Sequence, residues 1–409
     1  MKLTHTALAL ALALGAAQAP ALAQKPAAAA PAERQYEISK GARNDIAALQ
    51  ATVNAADWAN FPAKLAAAQA KAKTADDKYV IAKLNLKATV DQKKDAELAG
   101  AIEAVLATGA ASNDEIIPLQ MSLGKIHYNA KAYDRASTAF QRVLQLQPTH
   151  VDAMVMQGET LNSQGRTADG VALIQKAIAT RVAAGQKPEE SWYKRGVSLA
   201  FNGNLPIAPT LAREWVTAYP SPKNWRDAIR IYQGGSKLDD AALIDSMRLA
   251  AATGGLTGEN DYFRIANQLM LKGYPGEAKA VLDQGFAAKS IDKSRPTFAQ
   301  LYALANTKSQ GDRASLAASA KTALAAPAAK QAMTTGDAYY GYGDYAQAAE
   351  LYRAALTKSG VDKDVANLRL GMALARAGDK AGATAALNVA GGAQADVAKL
   401  WLAYVATRS

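Results

Sequence analysis

The chain has 409 residues, a formal net charge of +11 and no cysteine. The missing thiols exclude disulfides, thiolate metal sites and cysteine nucleophiles, and only three histidines remain as nitrogen ligands for a metal. Half of the residues are hydrophobic but only 7% are aromatic, and alanine supplies much of the apolar content. Because alanine is the best helix former, this composition favours an all-α protein over a sheet protein.

The first residues have the pattern of a secretory signal peptide. Lys2 precedes an apolar stretch from Thr6 to Ala17, and Ala21-Leu22-Ala23 is a small-x-small cleavage site. A membrane-spanning helix would need about 20 apolar residues. We therefore predict a signal peptide over residues 1–23, cleavage after Ala23 and export, most simply to a Gram-negative periplasm.

The rest of the chain divides by composition and periodicity. Residues 24–35 are rich in alanine and proline and read as a flexible leader. Residues 36–116 are alanine-rich and helical in pattern, and they form either degenerate repeats or a cap. Residues 117–390 carry an internal repeat, described next. Residues 391–409 predict a C-terminal capping helix, with apolar side chains at i, i+3, i+4 and i+7 from Val397.

The repeat is a recurrence of small residues at fixed offsets. From Gly124, Ala136 lies twelve residues on and Phe140 sixteen, and from Gly336, Ala348 and Tyr352 keep those two offsets. Other copies start at Gly158, Gly196, Ala266 and Gly371, with degenerate copies near Arg230 and Leu304. The copies are about three dozen residues apart, which is typical of a helix–turn–helix repeat.

The offsets have a physical explanation. Two helices can approach to 8–10 Å only where little side chain stands at the crossing, so the small residues mark the contact between two helices. A residue seven positions after each anchor, usually glycine, ends the first helix. The predicted repeat-packing residues are Gly124, Ala136, Gly158, Gly196, Ala208, Gly336, Ala348, Gly371 and Ala383.

Repeats of this length and pattern resemble tetratricopeptide repeats, most clearly over residues 117–150, 189–222 and 329–360. His127 and Lys131 depart from the pattern, because they stand where an aromatic residue and a glycine are usual. The resemblance implies an all-α fold, a right-handed superhelical solenoid of helix–turn–helix repeats. It also implies that protein or peptide partners bind in a concave groove.

The string Gly341-x-Gly343-x-x-Ala346 matches a dinucleotide-binding fingerprint, which requires a strand before it and a helix after it. The residues before Gly341 are helical in pattern, and Gly343 has the same seven-residue offset as Gly203 and Gly378. We therefore interpret the string as a turn between two helices.

No other motif predicts catalysis. Two Ser-x-x-Lys strings, at Ser122 and Ser191, fall within first helices of repeats, and no phosphate-binding loop is present. The sequence predicts no enzyme activity, no cofactor and no metal site. It likewise predicts no nucleic-acid partner, because the basic residues are spread along the chain.

The predicted groove is lined by first helices. The residues predicted to contact a partner are Lys125, Tyr128, Asn129, Tyr193 and Tyr340. The predicted function is a non-catalytic periplasmic scaffold or adaptor that binds another envelope protein or an extended peptide. Two alternatives stay open: a carbohydrate-processing or carbohydrate-binding envelope protein, which needs carboxylates converging in one pocket, and docking on anionic envelope surfaces.

Overall fold

The structure, a computed structural model, describes residues 36–235 and 238–408. Every regular element in those ranges is a helix, with one isolated β-bridge between Ala328 and Ser359. The chain forms two compact units, the first ending at Arg166 and the second beginning at Thr167. The predicted signal peptide, its cleavage site and the leader lie outside the described residues. No helix in the described part has the length and apolarity needed to cross a bilayer.

The first unit consists of seven helices in its described part, connected by short turns. They are α1 (Arg43–Asn54), α2 (Phe61–Lys71), α3 (Ala75–Asp91), α4 (Asp95–Ala107), α5 (Asn113–Asn129), α6 (Tyr133–Leu146) and α7 (Val151–Ser163).

The second unit continues the pattern of paired helices. Its first part has α8 (Thr167–Ala183), α9 (Glu190–Asn202), α10 (Ala208–Ala218), α11 (Pro222–Gly235), α12 (Asp240–Ala252), α13 (Gly258–Leu271) and α14 (Pro275–Ala287). The second part has α15 (Pro296–Ala325), α16 (Ala329–Gly341), α17 (Tyr345–Ala355), α18 (Lys363–Ala377), α19 (Lys380–Val389), a 3-10 turn (Gly392–Gln394) and α20 (Ala395–Ala406). The prediction of an all-α helical-repeat fold is confirmed.

The turns between paired helices use the left-handed backbone conformation. Gly343, with φ of +82°, follows α16 and precedes α17, so the glycines around Tyr342 form a corner and not a nucleotide-binding loop. Lys131 adopts φ of +60° at the equivalent position after α5. Gly203 differs from the prediction, because its φ is −82° and the left-handed residue is the next one, Asn204.

The repeat anchors lie where two helices approach most closely. A Cβ atom added to Gly124 would lie 2.5 Å from the Phe140 ring, and one added to Gly336 would lie 2.7 Å from the Tyr352 ring. At Gly371 the corresponding distance to Leu387 is 2.5 Å. In all three pairs, the partner side chain stands sixteen residues after the anchor. The glycine therefore makes room for a large side chain from the second helix.

The other predicted packing residues are also enclosed. Gly196 would place a Cβ atom 3.3 Å from Ile174, and Gly158 is buried in α7. Ala136, Ala348 and Ala383 are 0% exposed and Ala208 is 4% exposed.

Helix α15 differs from the sequence prediction. The degenerate copy near Leu304 implied a turn at Gly311, but the structure has one continuous helix of 30 residues from Pro296 to Ala325. Gly311 lies in the middle of this helix, and a Cβ atom there would meet nothing within 4 Å. Strong helix formers on both sides of one exposed glycine keep the helix intact, since a single glycine costs a helix only about 1 kcal/mol.

The same substitution should have opposite effects at two helical glycines. Gly124→Ala should destabilise the first unit by about 1–3 kcal/mol, because its methyl group overlaps the Phe140 ring. Gly311→Ala should stabilise the second unit by about 0.5–1 kcal/mol, because it adds no contact and removes the cost of a mid-helix glycine. Urea unfolding of both variants measures the two changes. Equal effects at the two sites would contradict the packing described for Gly124.

Helix α20 does more than cover the last repeat. It packs on its neighbour α19 and also on α10, α12 and α18 of the second unit. Trp401 is 0% exposed, and its indole Nε1 donates to the backbone oxygen of Asp245 at 3.2 Å. The Tyr404 ring packs edge-on against Trp225, with 6.4 Å between centroids. The second unit therefore closes on its own C-terminal helix.

Candidate partner-binding face

The predicted contact residues of the first unit lie on α5, and the start of this helix is fixed to α3. Glu115, in the first turn of α5, accepts a hydrogen bond from the backbone nitrogen of Ser112 at 3.1 Å. Its other oxygen is bound by Lys83 Nζ at 2.6 Å and by the hydroxyl of Tyr79. Burial alone would raise the pKa of Glu115, but these donors lower it to about 2. The carboxylate thus anchors α5.

This anchor should make stability depend on pH. The folded pKa of Glu115 lies below its ordinary value of 4.5, so its contribution is complete above that pH and is lost as the pH falls towards 2. Glu115→Gln should cost about 1 kcal/mol at pH 7, because the carboxylate is partly solvent-screened. Urea unfolding at pH 7, 4 and 3 should show the difference from wild type shrinking. A constant difference across this range would contradict the assignment.

The surface of α5 presents three polar or aromatic side chains together. Lys125 and Asn129 are exposed and one helical turn apart, and Tyr128 beside them is half-buried. The Tyr128 ring packs edge-on against Tyr133, with 5.6 Å between centroids. We call Lys125, Tyr128 and Asn129 the α5 face. Of the three, tyrosine is the residue type that is enriched at protein interfaces.

The predicted contact residues of the second unit are placed differently. Tyr193 and Tyr340 are only 4% and 5% exposed, so their side chains pack inside the unit. Sequence register placed Tyr340 in an open groove, and this placement is wrong because the inner side of α16 is covered by other helices of the same unit. Tyr193 still lines one edge of a surface cleft between α8, α10 and α20.

The interior beside Tyr340 holds a buried ionic cluster of Asp245, Arg248, Glu277, Asp337 and Arg369. None of the five is more than 8% exposed. The Arg248 guanidinium is at the centre. It donates to both oxygens of Glu277 at 2.8 Å, to Asp245 at 2.9 Å and to Asp337 at 3.3 Å. The Tyr340 ring stacks against the same guanidinium, 4.9 Å from centroid to Cζ.

Asp337 collects four donors within the ionic cluster and its border. Arg369 donates at 2.7 Å, and the hydroxyls of Tyr352 and Tyr274 donate at 2.7 and 2.9 Å, in addition to Arg248. Burial alone would raise the pKa of Asp337, but the two guanidiniums and two hydroxyls hold it below its ordinary value. The carboxylate therefore stays charged and joins α12, α16, α17 and α18.

Converging carboxylates were the feature expected of a carbohydrate-processing protein. The structure does bring Asp245, Glu277 and Asp337 together, but each one is paired with a guanidinium and sealed from solvent. None of them lines the cleft at Ile229, the cleft at Asn306 or the cleft at Leu402. A paired, dry carboxylate cannot reach a sugar or activate water, so the ionic cluster holds the fold together. In the same ranges, no group of three acidic or histidine side chains could share a metal ion.

One signal for this cluster could be read from the sequence. Asp337 and Tyr340 stand one and four positions after the anchor Gly336, the register expected for the inner side of a repeat. No signal linked these two residues to Arg248, which lies 89 residues before Asp337. Long-range ion pairs of this kind have no short-range pattern in a sequence.

The geometry defines a class of protein: consecutive helix pairs, with a small residue at each crossing and a left-handed turn after the first helix. Residues 121–186 and 333–397 match the tetratricopeptide repeat family. These two regions, which contain the copies at Gly124, Gly158, Gly336 and Gly371, are tetratricopeptide repeats. The predicted resemblance is thereby confirmed. Proteins of this family are interaction scaffolds with protein or peptide partners.

Comparison with solved structures gives distant similarities. A tetratricopeptide repeat protein from Parabacteroides merdae is 13% identical, with a TM-score of 0.29, and the match covers 82% of this chain and 100% of that one. PilF of Pseudomonas aeruginosa is 12% identical, with a TM-score of 0.26, and the match covers 64% of this chain and 97% of that one. The Naa15/Naa10 complex bound to HypK-THB is 14% identical, with a TM-score of 0.32, and the match covers 88% of this chain and 65% of that one. No curated protein matches the sequence.

Proposed function

We propose that the protein is a non-catalytic scaffold of the bacterial periplasm that binds another exported protein or an extended peptide through the α5 face. The observation that carries the proposal is a contrast between the two units. On α5, Lys125 is exposed and Tyr128 is half-buried, whereas Asp337 and Tyr340, which have the same offsets from Gly336, are buried. Partner contact through the predicted register is therefore possible at α5 and blocked at α16.

The chemistry of the α5 face suits a peptide. The Lys125 ammonium can pair with an acidic side chain or a terminal carboxylate, and the Asn129 amide can both donate to and accept from a peptide backbone. The half-buried Tyr128 ring loses little rotamer freedom on binding, since its other side already packs against Tyr133. Each of these features favours the binding of a peptide over catalysis of a reaction.

Export is a proposal that rests on the sequence pattern of residues 1–23. A fusion of the full chain to alkaline phosphatase, which is active only after export, tests it. The fusion should be active, and the double substitution Lys2→Glu and Leu10→Asp should abolish the phosphatase activity. An active fusion that retained residues 1–23 after purification would argue against cleavage after Ala23.

The α5 face should be required for partner binding. Tyr128→Ala combined with Asn129→Ala should weaken binding of a partner isolated from a periplasmic extract by about tenfold or more, because an aromatic anchor and a backbone contact are both lost. Titration of the purified partner against fluorescently labelled protein measures the change. The midpoint of thermal unfolding should change little, because Asn129 is exposed and Tyr128 is only half-buried.

A matched control lies in the second helix of the same repeat. Arg142 and Gln145 on α6 are exposed, and Arg142 Nη1 donates a hydrogen bond to Gln145 Oε1 at 3.2 Å. Arg142→Ala combined with Gln145→Ala should leave the affinity unchanged. If the control variant lost as much affinity as the α5 variant, the proposed site would be wrong.

A further inference from the structure

The cleft at Ile229 is a small recess between α11, α12 and α13 of the second unit. Its volume is about 20 Å³, which is room for one group of a few atoms and not for a ring or a sugar. Part of its lining is apolar and buried, with Ile229 from α11, Met247 from α12 and Ile265 from α13. We call it the Arg264 recess.

Three guanidiniums line the Arg264 recess. Arg226 and Arg230 belong to α11, and Arg264 belongs to α13. Arg230 and Arg264 are exposed, and Arg226 is partly exposed, so solvent and ligands can reach them. Arg226 and Arg230 are one helical turn apart, and like charges at this spacing repel each other. A negative group bound beside both would relieve that repulsion.

Two of the three guanidiniums have a carboxylate partner. Arg230 Nη2 donates to both oxygens of Asp261, at 3.1 and 3.2 Å. Arg226 donates through Nε and Nη2 to one oxygen of Asp227, at 3.0 and 2.9 Å. Because a guanidinium has five N–H donors, both arginines keep donors for a ligand.

The third guanidinium gives the recess an excess of positive charge. Arg264 Nη2 donates to the amide oxygen of Gln233 at 3.3 Å, and this acceptor is neutral. None of the ion pairs that described residues of α11 and α13 form includes Arg264. Lys223, exposed on α11 one turn before Arg226, adds a further cation beside the recess. The local field therefore attracts an anion.

Size and charge together select the ligand. A recess of this volume accepts one carboxylate group, and guanidiniums bind carboxylates through charge-assisted N–H···O bonds. The exposed Lys223 ammonium lies outside the recess, where a second negative charge on the same molecule can reach it. A free small acid would leave this outer cation unused, whereas an acidic peptide segment can contact both places.

We propose that the Arg264 recess binds the side-chain carboxylate of an acidic segment in a partner protein. Arg226, Arg230 and Arg264 surround that carboxylate, and Lys223 pairs with a second acidic residue of the segment. The site belongs to the second unit, and it does not depend on the function proposed for the α5 face.

The test uses the full chain and three peptides of eight residues that carry an uncharged fluorescent dye. The first has two glutamates separated by two neutral residues, the second replaces both with glutamine, and the third replaces both with phosphoserine. The glutamate peptide should bind, and the glutamine peptide should bind at least about tenfold more weakly, because it has the same shape without the charge. The phosphoserine peptide should bind no more tightly than the glutamate peptide, because the phosphate group is larger than the recess accepts.

Two matched variants locate the site. Arg264→Gln should weaken binding of the glutamate peptide about fivefold or more without lowering the urea midpoint, because Arg264 holds no carboxylate of the fold. Arg353→Gln, at an exposed arginine in the last turn of α17, should leave the affinity unchanged. Tyr128→Ala should also leave it unchanged, so that this proposal and the α5 proposal fail separately.

Four results would overturn the proposal. They are absence of binding by the glutamate peptide, equal affinity for the glutamate and glutamine peptides, equal affinity of the Arg264 and Arg353 variants, and tighter binding of the phosphoserine peptide. Phosphatidylglycerol vesicles should not displace the glutamate peptide. Displacement would assign the recess to a lipid headgroup instead and would likewise reject an acidic protein segment as its ligand.

Discussion

Replacing Arg248 by methionine is expected to lower the free energy of unfolding of the second unit by about 3–5 kcal/mol. The substitution keeps much of the side-chain volume but removes the one cation that contacts Asp245, Glu277 and Asp337 together. Arg369 alone would then face three carboxylates in a dry interior. Buried charges without partners are costly, because water that would stabilise them is excluded.

The measurement is urea unfolding followed by tryptophan fluorescence. Four of the five tryptophans, Trp192, Trp215, Trp225 and Trp401, belong to the second unit, so the signal reports mainly on that unit. Arg295→Met is the matched control, because Arg295 forms an exposed ion pair with Glu259 that should contribute less than about 1 kcal/mol. Similar midpoints for the Arg248 variant and wild type would mean that the ionic cluster does not hold the unit together.

Replacing Trp401 by alanine is expected to cost about 3–5 kcal/mol in the same unit. The Trp401 ring is fully buried and packs against Tyr404 with 5.3 Å between centroids. Its removal leaves a cavity between α20 and α12 and leaves the backbone oxygen of Asp245 without its donor. Helix α20 should then lose much of its hold on α10 and α12.

The control for this variant is Val389→Ala. Val389 is 61% exposed on α19, and truncating it should change stability by no more than about 0.5 kcal/mol. Hydrogen exchange gives an independent reading, because amides of α20 should lose protection in the Trp401 variant before those of α16. Unchanged protection in α20 would indicate that the helix is held by other contacts.

The repeat could be predicted from sequence because its cause is local. Gly124 and Phe140, or Gly371 and Leu387, are sixteen residues apart, and the need for a small residue opposite a large one recurs at each crossing. The glycine corner at Gly343 follows from the same register. Of the predicted contact residues, Lys125 and Asn129 are exposed where the register placed them. Their role in binding a partner stays a prediction.

The remaining features depend on contacts that no local pattern encodes. Arg369 meets Asp245 across 124 residues, and Trp401 meets the same residue across 156. Tyr340, which the register alone placed in an open groove, is buried against the Arg248 guanidinium of the same ionic cluster. The turn predicted at Gly311 is wrong for a local reason. A glycine at the expected offset does not turn the chain where the flanking sequence is strongly helical.

The most direct test of the proposed partner binding at the α5 face is site-specific crosslinking in living cells of the native host. A photoreactive benzoylphenylalanine at Asn129 should give a discrete covalent adduct with an exported protein, and Tyr128→Ala in the same chain should remove it. The same probe at Gln145, exposed on α6, should give no such adduct. An adduct from Gln145 with the same partner, or none from Asn129, would contradict the account.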